Sequence, residues 1–330
     1  PAGQGEFTWI DYNNDGIQQL NEFEISQFKD QAKYIRIFTP TNEYIKANYL
    51  QFNYSFIINP RAAINAAKAN GFQKLLTRLY FQSSLQVYKK EMSGSLSFNP
   101  FSTALSDTSL IILNNVFSNP FSFNRSSSVW GLDLNNIRND NKAFLTYGYE
   151  SRKVNEWNVK SRWNMTRSLL LELIGKKGLT RLITPNFDNR NYNIEGIGLE
   201  PRLSFTRNTN FRILLGYKFD DKTNTDSTQK ATIHSLISEA TYNVVSSTSV
   251  TAKFTYSQIK YSDPANANSA NTSVSYIMLD ALLPGKNFLW TVDLTKRLTS
   301  YLELNFQYEG RKSAASNTVH IGRASLRAIF

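Results

Sequence analysis

The sequence predicts an all-β fold: an antiparallel transmembrane β-barrel, or a large part of one, with about 13 to 14 strands preceded by a short amino-terminal loop-helix segment. Three observations carry this expectation. The closing run from Gly322 to Phe330 puts Gly322, Ala324, Leu326, Ala328 and Phe330 on one side and Arg323, Ser325 and Arg327 on the other, because strand side chains alternate with period two. The same alternation recurs in runs of roughly ten to fourteen residues, the length a tilted strand needs to cross a bilayer and longer than an average soluble strand. Short polar turns also alternate with longer polar loops, as in barrels with short periplasmic turns and long outer loops.

Composition suits interleaved strands rather than a thick dry core. The chain is 41% hydrophobic and 13% aromatic, with 22 Phe and 17 Tyr, yet its mean hydropathy is only −0.39, so apolar side chains are mixed with polar ones throughout. No run approaches the roughly 18 apolar residues of a spanning helix, and any membrane crossing falls to strands. The absence of Cys excludes a disulfide framework and thiolate metal sites. The net charge of +11 is scattered along strands and loops, which argues against nucleic acid as a partner and for membrane lipids or a cation-lined lumen. The first residue is Pro1, with no charged and then apolar leader after it, so the sequence reads as a piece of a longer precursor whose export signal and missing amino-terminal part lie upstream.

Residues 1–42 read as a segment on the outer side of the barrel. Within it, Asp11 to Glu22 follows the calcium-loop pattern, with oxygen donors at the expected positions and Gly16 at the sharp bend. Asp11, Asn13, Asp15, the Ile17 carbonyl, Gln19 and Glu22 form the candidate metal set, and Ca²⁺ is the expected cofactor. An Asx-rich turn without metal is the other reading. Gln18 departs from the pattern, which usually has an aliphatic residue there. Residues 20–33 read as an amphipathic helix with Phe23, Ile25 and Phe28 on its apolar side.

Residues 43–330 read as barrel strands. Leu50, Phe52, Tyr54 and Phe56 oppose Gln51, Asn53 and Ser55; Trp157, Val159, Trp163 and Met165 oppose Lys160, Arg162 and Asn164. Ile197, Leu199, Leu203 and Phe205 oppose Glu200, Arg202 and Ser204, and Phe211, Ile213, Leu215, Tyr217 and Phe219 oppose Arg212 and Lys218. Phe288, Trp290, Val292 and Leu294 oppose Thr291, Asp293 and Thr295, and Leu302, Leu304, Phe306 and Tyr308 oppose Glu303, Asn305, Gln307 and Glu309. Short turns at 206–209, 246–249 and 298–300 alternate with longer loops at 184–193, 221–230, 262–272 and 311–318. This parity puts the carboxy terminus on the short-turn, periplasmic side and makes the first crossing, near Tyr44–Ile58, run inward. The stretch Asp280–Asn287 reads as a bulge within one long crossing, with a hairpin turn as the alternative. The resulting count is odd; a strand inside 1–42 or 104–118, or strands from the missing part, would even it. Leu326, Ala328 and Phe330 of the last strand read as an assembly signal.

Arg202, Arg212, Lys218, Lys253, Arg323 and Arg327 fall on the faces expected to line the lumen. They either form an anion-tolerant path or pair with Glu200, Glu239, Asp293, Glu303 and Glu309 to stiffen the wall, the second being preferred. His234 and His320 sit on separate strands without ligand spacing, and no Ser or Asp stands in a nucleophile motif. The reading is therefore non-enzymatic, with a surface enzyme built on the outer loops or a simple diffusion pore as alternatives.

Several short runs resemble large Bacteroidota-type outer-membrane proteins: Gly3 to Gly16 with Asn21-Glu22-Phe23-Glu24, Tyr34-Ile35-Arg36, Leu283-Pro284-Gly285-Lys286-Asn287 with Trp290, Tyr308-Glu309-Gly310-Arg311 and His320-Ile321-Gly322-Arg323. The resemblance covers nearly the whole chain as the carboxy-terminal barrel part of a longer precursor. It implies the outer membrane of a Gram-negative, Bacteroidota-type cell. It says little about activity, although some large relatives serve in secretion or envelope assembly. Because a long upstream portion suits a scaffold better than a diffusion pore, the expected role is in an envelope-assembly, secretion or transport complex, with other outer-membrane or periplasmic proteins as partners.

Overall fold

Two three-residue strands, β1 (Phe7–Trp9) and β2 (Phe23–Ile25), pair as a small antiparallel ribbon. Thirteen longer strands follow: β3 (Ala47–Ile58), β4 (Leu79–Met92), β5 (Leu110–Phe123), β6 (Trp130–Leu145), β7 (Gly148–Asn164), β8 (Leu169–Ile183), β9 (Tyr192–Arg207), β10 (Phe211–Asn224), β11 (Lys230–Val244), β12 (Thr248–Ser262), β13 (Gly285–Thr299), β14 (Leu302–Ser313) and β15 (Val319–Ala328). This computed structural model describes residues 3–37, 44–65, 68–93, 99–101, 105, 108–145, 148–244, 247–264 and 270–328. The long strands form one antiparallel sheet in strict chain order from β3 to β15. Among the described residues β3 and β15 do not pair with each other, so the sheet is open along that seam.

Two prolines sit inside strands, and each breaks the ladder on one side only. Pro120 pairs across to Asn135 on β6, while towards β4 the register runs from Phe81↔Phe121 directly to Ser84↔Ser118. Pro201 faces Leu173 on β8, while towards β10 the register jumps from Gly216↔Arg202 to Phe219↔Leu199. A residue without an N–H cannot donate to the ladder, and the strand tolerates it where that one bond is given up.

The register fixes which residues share a face. Two short helices, α1 (Gly71–Leu76) and α2 (Ser273–Met278), interrupt the meander; α2 packs on the face that carries Leu182, Tyr192, Ile194, Ala231, Ile233 and Ile259, called here the inner face. On the lower half of β9 the outer residues Ile197, Leu199, Leu203 and Phe205 are 53%, 48%, 39% and 42% exposed, while Glu200 and Ser204 on the inner face are 5% and 6% exposed. Apolar side chains out and polar side chains in is the arrangement of a wall between lipid and a wet lumen. The opposite orientation would put Arg202, Arg212 and Lys253 in hydrocarbon at a cost of about 2–4 kcal/mol for each one near the midplane. From Phe211 to Phe219 the outer face of β10 spans about 26 Å along the strand, or about 20 Å of depth at a tilt near 40°, close to a bilayer's apolar band.

Above that band the polarity reverses. On β9 the inner face becomes Tyr192 and Ile194, both buried, and the outer face becomes Asn193 and Glu195. On β11 and β12 the inner face becomes Ala231, Ile233 and Ile259 and the outer face Lys230, Thr232, Gln258 and Lys260. The upper third of these strands therefore has the inside-apolar logic of a soluble domain, with α2 as its filling.

Some expectations are corrected. Residues 20–33 do not form a helix: a single 3-10 turn at Leu20–Glu22 leads into β2. Phe23 and Ile25 are two residues apart, so pairing with Trp9 and Phe7 puts them on one side and sends Glu22 and Glu24 to the buried side. That pairing outweighs a short isolated helix, which is marginal in water. The stretch 280–287 is neither a bulge nor a hairpin within strands. Thr272 caps α2 through the Ser275 amide, Asp280 and Ala281 turn with positive φ, and β13 starts at Gly285. The connection still joins β12 to β13 on the long-loop side, so the parity of the meander is kept. Residues 110–118 lie in β5, one of the thirteen strands, and the described residues of 1–42 contribute only to the separate ribbon. The short-turn end has one exception, the 59–78 connection with a 3-10 turn and α1.

Candidate functional site at the long-loop end

Residues 3–37 lie across the inner mouth at the long-loop end. Tyr34 bridges to Phe7, with the Phe7 amide donating to the Tyr34 carbonyl at 2.9 Å. Gly5 makes this possible, since a Cβ there would lie 2.5 Å from the Tyr34 nitrogen. The resulting knot is fastened to distant parts of the wall. Arg311 on β14 forms a forked pair with Asp30 at 3.0 and 3.3 Å and lies 3.8 Å over the Phe28 ring. Tyr276 on α2 donates to the Ile25 carbonyl at 3.3 Å and accepts from the Gln27 amide at 3.2 Å. Asn271 donates to the Asp11 carbonyl at 3.2 Å.

Glu24 is the centre of the attachment. It is 4% exposed and meets the equally buried Arg190, from the β8–β9 loop, at 3.5 Å. Tyr12 donates to Glu24 Oε1 at 3.4 Å, and Ser273 donates to the same oxygen. Burial pushes the Glu24 carboxyl above its ordinary range, with Arg190 and the Ser273 and Tyr12 hydrogen bonds acting against that rise. Burial, reinforced by the neighbouring Glu24 charge, pushes the Tyr12 hydroxyl far up, so it stays a neutral donor. Tyr276 is likewise raised by burial. Strand pairing of residues 23–25 is the signal that would have revealed Glu24 in the sequence: period two puts Glu22 and Glu24 together on the side away from Phe23 and Ile25.

The candidate calcium set is only partly assembled. The Asp11 carboxylate accepts from the Asp15 and Gly16 amides at 3.2 and 2.8 Å. Asn13 Oδ1 accepts from the Asp15 amide at 3.1 Å, and Asp15 Oδ1 from the Ile17 amide at 2.7 Å. The Asn13 and Gln19 side-chain amides both donate to Asp15 Oδ2, at 2.8 and 2.7 Å. Glu22 stands apart: its Oε2 accepts from Trp9 Nε1 at 2.8 Å and the Gln19 amide at 3.3 Å. Among the described residues no three acidic, His or Cys side chains converge closely enough to hold a metal.

The six lumen candidates share the inner face by register. Arg202 pairs with Glu200 at 2.7 Å, Arg212 with Glu239 at 2.7 Å and Lys218 with Asp220 at 2.6 Å. Lys253, Arg323 and Arg327 have no ion pair among the described residues. The two histidines lie on the outer face in aromatic clusters: His234 beside Tyr217 and Phe219, His320 beside Tyr308 and Trp290. Of the assembly-signal residues, Leu326 and Ala328 are exposed on the outer face of β15, and Phe330 lies outside the described residues.

No family model and no curated protein matches the chain. Solved structures that it resembles include a loop L8 deletion mutant of OmpT, an outer membrane protein of Vibrio cholerae, at 10% identity and TM-score 0.42, covering 86% of this chain and 90% of that one. The outer membrane channel DcaP of Acinetobacter baumannii aligns at 8% identity and TM-score 0.43, covering 76% and 83%. OmpT of Vibrio cholerae, as expressed in the outer membrane, aligns at 10% identity and TM-score 0.40, covering 76% and 81%.

Proposed function

We propose that the chain is barrel wall in the outer membrane of a Gram-negative, Bacteroidota-type cell, the carboxy-terminal part of a larger protein. Its role is non-enzymatic, in an envelope-assembly, secretion or transport complex. The observation that supports this reading is the seating of residues 3–37 across the inner mouth, fastened to the β8–β9 loop, α2 and β14. A free diffusion pore has no use for a segment held over its entrance, whereas a gated or scaffolding component does. Planar-bilayer recording tests it. The protein should conduct little, and Arg190→Ala with Arg311→Ala should raise conductance severalfold by freeing the segment. High conductance that the double substitution leaves unchanged would defeat the reading.

The Asp11–Glu22 loop is proposed as a Ca²⁺ site of this same segment. Its donors are hard oxygens on a flexible loop, the chemistry Ca²⁺ takes. Asp11, Asn13, Asp15 and Gln19 already form one hydrogen-bonded group. Binding requires the Asn13 and Gln19 side chains to present oxygen instead of nitrogen and Glu22 to leave Trp9. Protease cleavage within residues 1–33 should slow on adding Ca²⁺ and quicken with chelator, and Glu22→Gln should remove the difference. Equal cleavage in both conditions would leave the loop a turn.

A further inference from the structure

Towards the long-loop end, the outer face of β4–β8 carries six cations, Lys89, Arg138, Lys142, Lys153, Lys177 and Arg181, against two carboxylates, Glu91 and Asp140. Three of the cations are engaged: Lys89 with Glu91 at 2.9 Å, Arg138 with Asp140 at 2.7 Å, and Lys142 with the Leu105 carbonyl at 2.9 Å. The other three are not. Lys153 and Arg181 stand directly opposite each other in the β7–β8 register, with Cβ atoms about 5 Å apart in such a pair, where like charges repel. Neither their side chains nor that of Lys177 makes a hydrogen bond or ion pair among the described residues. Asp140 also faces Lys153 across the β6–β7 register; its Oδ2 is taken by Arg138 and Asn115, and its Oδ1 makes no hydrogen bond among the described residues, to Lys153 or to any other group. Glu195 on β9, diagonal to Lys177 and Arg181, forms no ion pair among the described residues.

A cavity of about 320 Å³ opens here, lined by Arg138, Asp140, Tyr149, Ser151, Lys153 and Arg181. Directly below, Trp157 sits opposite Lys177 and is 46% exposed, and Val159 and Trp163 continue the apolar wall downwards. Cations above, an indole at the boundary and apolar wall beneath match an amphiphile with an anionic head. From Lys177 to Arg181 the face rises about 13 Å, room for two anionic groups on one headgroup.

We propose that Lys153, Lys177 and Arg181 bind the phosphate-bearing headgroup of an outer-leaflet glycolipid, its acyl chains lying along Trp157, Val159 and Trp163. This rests on the membrane reading above. Arg181 offers a fork for a phosphate, and the two lysines act as point charges beside it. The test uses the whole chain in neutral detergent with diphosphoryl lipid A as probe, read by native mass spectrometry. The Lys153→Gln, Lys177→Gln, Arg181→Gln variant should bind it about tenfold more weakly, bind an uncharged glycolipid as before, and keep its heat-modifiable gel migration. Unchanged lipid A binding with that migration intact would overturn the site while leaving the barrel standing. Equal competition by inorganic phosphate would overturn the lipid as ligand. A starting protein without heat-modifiable migration would overturn the barrel, and the site with it.

Discussion

Glu24 shows how one side chain sets the hold of the amino-terminal segment. Its carboxyl is raised above the ordinary 4.5 chiefly by burial. A raised pKa in the docked state means that the docked form takes up a proton more readily than the free form. Docking is therefore strongest at pH below the ordinary value and weakens as pH rises through the raised one. Hydrogen exchange of residues 3–37, corrected for intrinsic rates, should slow as pH falls from neutral towards the carboxylate range. Glu24→Gln should flatten that dependence. The same dependence in wild type and variant would show that another group controls docking. Removing Arg190 alone should loosen the segment most at pH where Glu24 is ionised, since an unpaired buried carboxylate costs about 3–5 kcal/mol, and far less once Glu24 has taken up its proton.

Among the elements, the β13–β15 outer face shows how a glycine makes room for an aromatic. A Cβ on Gly310 would meet Trp290 Cε2 at 2.0 Å, whereas nothing lies within 4 Å of one on Gly322. Trp290 lies over Gly310 and reaches His320, with ring centroids 5.9 Å apart. Gly310→Val should lower the temperature at which the folded gel band is lost, by a cost of about 1–3 kcal/mol, while Gly322→Val leaves it nearly unchanged. In a Trp290→Ala background the Gly310 penalty should shrink, because the clash is gone; an unchanged penalty would place its origin in the backbone. The strands were legible because their alternation is long and clean, as in Leu302 to Glu309. The helix expected at 20–33 failed because Phe23, Ile25 and Phe28 satisfy helical spacing only loosely, while pairing with β1 satisfies the backbone outright. α2 escaped notice because a six-residue helix has too few positions to show a period.

At the level of the whole molecule, period two was readable but its phase was not. Ile194 and Ile197 lie on opposite faces of one strand, so a single alternation read along β9 hides the place where the apolar side changes. Only the register and α2 locate that change. The charge pairs were half legible: Arg202 with Glu200 is an i, i+2 pair on one face, whereas Arg212 with Glu239 depends on which strands are neighbours. The tie from Arg190 to Glu24 joins segments with no pattern in common.

The strict chain order of the sheet also imposes an order of events. Each long strand pairs with the one before it, so the wall grows by short-range steps, each hairpin adding to a finished edge. The amino-terminal segment behaves oppositely. Its anchors lie 166 residues away at Arg190, between the sixth and seventh long strands, and 281 away at Arg311 on the twelfth. The segment that precedes these thirteen strands thus cannot complete its docking until β14 is in place.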